Sequence, residues 1–177
     1  MARDTTDLTP VNSVEDLTAY LKGGEKPASL FRIGTEHEKF GYYLDDLSPV
    51  PYGGERGIGK LLEKMQALSG WEAIVDDGRI IGLYGSDGQG AISLEPGGQF
   101  ELSGAPLETI HATCQESNGH LAQVRAVAKD LGIGFLGIGS SPTWTIDETP
   151  IMPKSRYEIM RRYMPKVGTR GLDMMFR

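Results

Sequence analysis

A chain of 177 residues, 39% hydrophobic and 24% charged, has room for one domain, or one domain and part of another, and the composition of a soluble globular protein; no apolar run approaches the roughly 18 residues a membrane span needs. A net charge of −6 argues against non-specific nucleic-acid binding, and a single cysteine excludes an internal disulfide framework. That cysteine, with a polar start at residues 1–7 that lacks an apolar signal segment, predicts a reducing, cytoplasmic setting. The charge is uneven: residues 151–177 carry 7 Lys/Arg against 2 Asp/Glu, which reads first as a solvated basic helix face.

In chain order, Ser13 with Asp16 three residues on forms a capping box, followed by an apolar stripe of Val14, Leu17, Tyr20 and Leu21 and a stop at Gly23. Phe31 to Tyr43 alternates as a strand, with Phe31, Ile33 and Thr35 on one face and Arg32, Glu36 and Glu38 on the other. His37 falls on the Ile33 side. Gly54 to Lys60 has the spacing of a phosphate-binding loop, but Leu61 stands where Ser or Thr should hold Mg²⁺ and no apolar strand leads in. The segment Ile58 to Leu68 reads instead as an amphipathic helix with Leu61, Leu62, Met65 and Leu68 inward.

Trp71–Val75 and Arg79–Tyr84 flank Asp76-Asp77-Gly78, a hairpin turn, and the turn-rich Gly85–Gly90 leads into a second hairpin from Ile92 to Gly104. With Pro96-Gly97-Gly98 as a three-residue loop, Glu95 lies opposite Gln99, Leu94 opposite Phe100, Ser93 opposite Glu101 and Ile92 opposite Leu102. Ile92, Leu94, Phe100 and Leu102 then share the core face, and Ser93, Glu95, Gln99 and Glu101 the other. A two-residue loop would mix the faces. The segments form an antiparallel meander with Phe31–Tyr43 available as a fifth strand.

Pro106 opens a long helix with Leu107, Ile110, Cys114, Leu121, Val124, Ala128 and Leu131 inward, so Cys114 is expected to be a buried thiol. His111 and His120 fall on opposite sides of it and cannot share a metal. Gly132 to Gly137 matches a dinucleotide fingerprint but follows a helix and opens a strand, the reverse of what such a site requires. It reads as a buried strand, Ile133 to Ile138. A connection holding Trp144 leads to a helix from Ser155 to Met164, ended by Pro165, with Tyr157, Met160 and Met164 on one side. Leu172 to Arg177 reads as the beginning of a strand.

Glu36, Glu38, Glu95 and Glu101 thus fall on the open face of one sheet. Like charges so placed repel unless a cation lies between them, and hard oxygen donors without His or Cys suit Mg²⁺ or Mn²⁺. The residues alone point to a Mg²⁺-dependent, phosphate-handling site. A glycosidase using Glu95 and Glu101 as acid and base is a more distant reading.

Three motifs extend this. Ile33-Gly-Thr-Glu-His-Glu-Lys-Phe-Gly41, the run from Ser93 to Pro106, and Met152-Pro-Lys-Ser-Arg-Tyr-Glu-Ile-Met160 resemble glutamate–cysteine ligases of the plant and proteobacterial type. The resemblance covers nearly everything from Phe31 to Arg177. It implies an α+β fold like that of glutamine synthetase, a curved antiparallel β-sheet with helices on one face. The chain would be the N-terminal part, residues 1–177, of a single catalytic domain that continues beyond it. Glu36, Glu38, Glu95 and Glu101 match the family's metal-ligating glutamates, with Gln99 a neighbour. The implied cofactor is Mg²⁺ or Mn²⁺ with ATP as co-substrate, and the implied partners are glutamate and cysteine, with no nucleic acid and no membrane. The implied reaction joins the glutamate γ-carboxylate to the cysteine amine through a γ-glutamyl phosphate, the first step of glutathione synthesis. The alternatives are a non-catalytic fragment and a ligase using another amine. The regulatory disulfide of the plant enzymes has no internal basis in a chain with one cysteine.

Overall fold

The computed structural model describes residues 8–88 and 90–176, with the backbone only of Asp87; the polar residues 1–7, Gln89 in the Gly85–Gly90 turn, and Arg177 lie outside the described residues. Among the described residues the sheet has six strands: β1 (Glu36–Tyr43), β2 (Glu72–Asp76), β3 (Arg79–Tyr84), β4 (Ala91–Leu94), β5 (Gln99–Ser103) and β6 (Ile133–Leu136). Their spatial order is β2-β3-β4-β5-β1-β6, and every neighbouring pair is antiparallel. The β2–β3 turn takes positive φ at Asp77 and Gly78, as a tight hairpin requires.

The β4–β5 hairpin has the register its alternation dictates. Ile92 pairs with Leu102, Ser93 with Glu101 and Leu94 with Phe100, while Glu95 N–H donates to the Gln99 carbonyl. Gly98, at φ 84°, closes the loop, a conformation that a side chain would strain. Ile92, Leu94, Phe100 and Leu102 are fully buried.

That apolar face is covered by α2 (Ile58–Ser69) and α3 (Ile110–Leu131). In α2 Ile58, Leu61, Leu62 and Met65 have no exposed surface, whereas Leu68 is outside the core. From α3 the core receives Val124, Val127, Ala128 and Leu131. At the hairpin end, α4 (Ser155–Val167) and α5 (Gly171–Phe176) close the layer. Tyr157 of α4 is buried and donates its hydroxyl to the Leu94 carbonyl, and Met152 N–H donates to Pro96.

Several expectations are corrected. The strand expected over Phe31–Tyr43 begins only at Glu36. Its partner β5 ends at Ser103, opposite Glu36, and Pro106 beyond has no N–H to extend the ladder. Ile33 makes a lone bridge to Leu107 instead, which keeps Leu107 out of the helix, and α3 starts at Ile110 under a Thr109 cap rather than at Pro106.

The inward face of α3 begins with Thr113 and His120, leaving Ile110, Cys114 and Leu121 exposed; Cys114 is therefore not a buried thiol. Pro165 lies inside α4, which runs on to Val167. Leu172, Met175 and Phe176, spaced at three and four residues, build the short helix α5 where a strand was expected. Finally α1 (Val14–Lys22) has its capping box, but Val14, Leu17, Tyr20 and Leu21 are all exposed and α1 has no buried residue.

Candidate functional site

Alternation along β1 turns Lys39 toward α3, where it meets His120, and so turns Glu36, Glu38 and Phe40 to the opposite, open face. On that face Glu38 stands directly across from Glu101, Glu36 across from Ser103, and Phe40 across from Gln99. Side chains so opposed have Cβ atoms about 4.5–5.5 Å apart. Glu95 follows Ser93 by two residues on the neighbouring chain segment, on the same side. All four carboxylates expected to face one way do so.

They are not equivalent. Glu101 is buried, and both its oxygens are held, by the Ser93 hydroxyl at 2.6 Å and the Ser103 hydroxyl at 2.7 Å. Burial raises its pKa, but those two hydrogen bonds, Ser103 first, outweigh burial and leave it below the ordinary value, so Glu101 is the fixed anion of the group. Glu38 is pushed up, by burial first and then by Glu101 and Glu36. Glu95 is pushed up by burial and then by Glu101, with Lys154 pulling the other way. Mutual repulsion is therefore built into the face.

A raised folded-state pKa means that the contribution of Glu38 to stability is present below pH 4.5 and is lost as pH rises through the raised value. Glu38→Gln is accordingly expected to raise the thermal midpoint of metal-free protein at pH 7 and to leave it unchanged near pH 4. Equal midpoints at pH 7 would contradict the repulsion.

Three further features bear on the open face. Phe40, buried on the open face, meets the Trp144 ring edge-on at 6.0 Å, beside an apolar recess of about 230 Å³ also lined by Tyr42, Leu136 and Ile138. Gln99 is 6% exposed, and its Oε1 has no hydrogen-bond partner among the described residues. Lys154 adds a positive charge near Glu95 while its ammonium meets the Tyr157 hydroxyl at 3.3 Å. The Trp144 segment carries no periodicity, which is why its return across the sheet was not legible.

The donor chemistry fits a hard divalent cation in a particular way. Among the described residues no three carboxylate, imidazole or thiol groups gather as they stand around one ion position. Mg²⁺ usually keeps several waters and takes one or two carboxylates plus substrate phosphates, rather than an all-protein cage. A face of spaced carboxylates suits that mode, and an orphaned buried amide oxygen beside it suits a further ligand.

A profile of the Glutamate-cysteine ligase family 2 matches residues 32–177. The chain is 56% identical over 174 residues to glutamate–cysteine ligase A, chloroplastic, of Oryza sativa subsp. japonica, covering 98% of this chain and 34% of that protein. It is 58% identical over 163 residues to glutamate–cysteine ligase, chloroplastic, of Arabidopsis thaliana, covering 92% of this chain and 30% of that one. For the Nicotiana tabacum protein of the same name the identity is 57%, with the same shares of 92% and 30%. The chain thus spans about a third of the length of these relatives. Their chloroplastic names overturn the cytoplasmic expectation: a plastid protein, too, needs no apolar signal segment, so a polar start does not separate the two compartments.

Proposed function

The chain belongs to the Glutamate-cysteine ligase family 2, and from that premise we propose that the natural full-length protein joins glutamate to cysteine, driven by ATP, as the first step of glutathione synthesis. The observation that carries the reading is the opposition of Glu38 to Glu101, with Glu36 and Glu95 on the same open face. In this reading the terminal phosphoryl of ATP passes to a γ-carboxylate oxygen of glutamate and ADP leaves. The cysteine amine then forms the new carbon–nitrogen bond as phosphate departs, and one proton is lost from nitrogen.

Glu36, Glu38, Glu95 and Glu101 would hold Mg²⁺ or Mn²⁺, whose chemistry is to neutralise charge on the transferring phosphoryl group. Glu101, fixed by Ser93 and Ser103, is the anchor. Glu38 and Glu95, whose pKa values are raised in its absence, gain most from a cation's arrival. The apolar recess beside Phe40 and Trp144 keeps water from that end of the face and gives an uncharged substrate portion a place to rest.

The test is an assay of the full-length protein with Mg²⁺-ATP, glutamate and cysteine. γ-Glutamylcysteine, ADP and phosphate should appear in equal amounts, and all three should vanish with a chelator. No ADP release with any amine acceptor would reject the ligase reading. Release with another amine in place of cysteine would keep the reaction and change its substrate.

A further inference from the structure

We propose that Lys39 is a positioning residue for the Glu38–Glu101 pair, acting from beneath the sheet; the inference rests on the metal-site reading above. Lys39 is 4% exposed, on the helix-covered face of β1. Its ammonium lies 3.2 Å from the His37 carbonyl, 3.2 Å from the Phe100 carbonyl and 3.0 Å from His120 Nε2. A lysine has three N–H donors, and these are three acceptors. Nε2 of His120 accepts, so the ring proton is on Nδ1, and the imidazole stacks on Phe100 at 6.2 Å.

The identity of the two carbonyls is what matters. His37 immediately precedes Glu38 and Phe100 immediately precedes Glu101, so one ammonium ties the two strands together just behind the opposed carboxylates. Packing alone does not call for a charge here. A methionine would fill the space, and a buried ammonium costs free energy that an apolar side chain would not. On the open face two like charges push against each other across the β1–β5 ladder. The Lys39 cation is attracted by Glu101 and opposes that push. An ammonium can only donate, so the imidazole beside it serves as its acceptor, as the two carbonyls do. Fixing the backbone just behind the pair before a cation arrives is preorganisation, and the cation then binds carboxylates already in place.

The test titrates the natural full-length protein with Mn²⁺ alone, reading free Mn²⁺ by electron paramagnetic resonance, alongside thermal unfolding. Lys39→Met removes the clamp, and His120→Phe keeps the ammonium and both strand contacts while removing one acceptor. Both should unfold at lower temperature. Only Lys39→Met should weaken Mn²⁺ binding, by about tenfold, the size of effect expected of a group that orients metal ligands. Should Lys39→Met not fold, Lys39→Gln, with two N–H donors and no charge, takes its place in the same measurement. The inference is overturned if the Lys39 variant binds Mn²⁺ like the parent, or if affinity falls in step with stability in both variants. If the parent itself binds no Mn²⁺, the metal-site reading fails and this inference with it.

Discussion

Glu101→Gln in the full-length protein is expected to lower ligase turnover by on the order of a hundredfold or more and to raise the Mg²⁺ concentration needed for half-maximal rate. Glu101 sits where everything on the open face converges: opposite Glu38 on one side, opposite Ser93 on the other, with both oxygens held by hydroxyls. An amide has the same shape and can still accept from one serine and donate to the other. The fold should therefore persist, and the thermal midpoint should move little. What disappears is the carboxylate of the four that hydrogen bonding holds below its ordinary pKa. Glu36→Gln serves as the comparison, because Glu36 is exposed at the start of β1 and should cost less. An unchanged rate and Mg²⁺ titration in Glu101→Gln would remove Glu101 from the site, and with it the geometric basis for placing a metal between β1 and β5.

The shared face of the four glutamates was legible where strict alternation met a turn of defined length. Between Ile92 and Gly104 a single choice of loop fixes which side chains face the core, and the two glycines after Pro96 make that choice. The same alternation assigned Glu36 and Glu38 to one face, although it ran the strand five residues too far. Nothing in residues 31–35 announces that the partner strand ends at Ser103; that information lies in Gly104 and Pro106, some seventy residues away.

The polar group beneath the sheet was missed for a different reason. Alternation places Lys39 on the core face, but a lysine there looks like an exception until His120, 81 residues downstream, is seen to receive it. The helix stripe erred similarly, since Thr113 and His120 take inward positions that a count of apolar residues gives to Ile110, Cys114 and Leu121. In α5 the spacing of Leu172, Met175 and Phe176 was helical, yet too short to outweigh an expected continuation of the sheet.

Phe100→Ala is expected to destabilise the domain by about 3–5 kcal/mol, the range for removing a fully buried phenylalanine. Phe100 has no exposed surface and meets the Phe135 ring at 5.5 Å and the His120 ring at 6.2 Å. It stands between Gln99 and Glu101, so the side chain that anchors β5 in the core also sets the two open-face residues beside it. A loss of that size, on the scale of roughly 2–4 °C per kcal/mol for domains of 150–250 residues, lowers the thermal midpoint by roughly 10 °C. Phe100→Leu keeps much of the volume and should cost much less. The two variants together separate packing from register, because leucine fills the core but leaves His120 without its stacked ring. If Phe100→Ala unfolds within a degree or two of the parent, β5 is not held by its buried face, and the rigidity assigned to Glu101 has no foundation in the core.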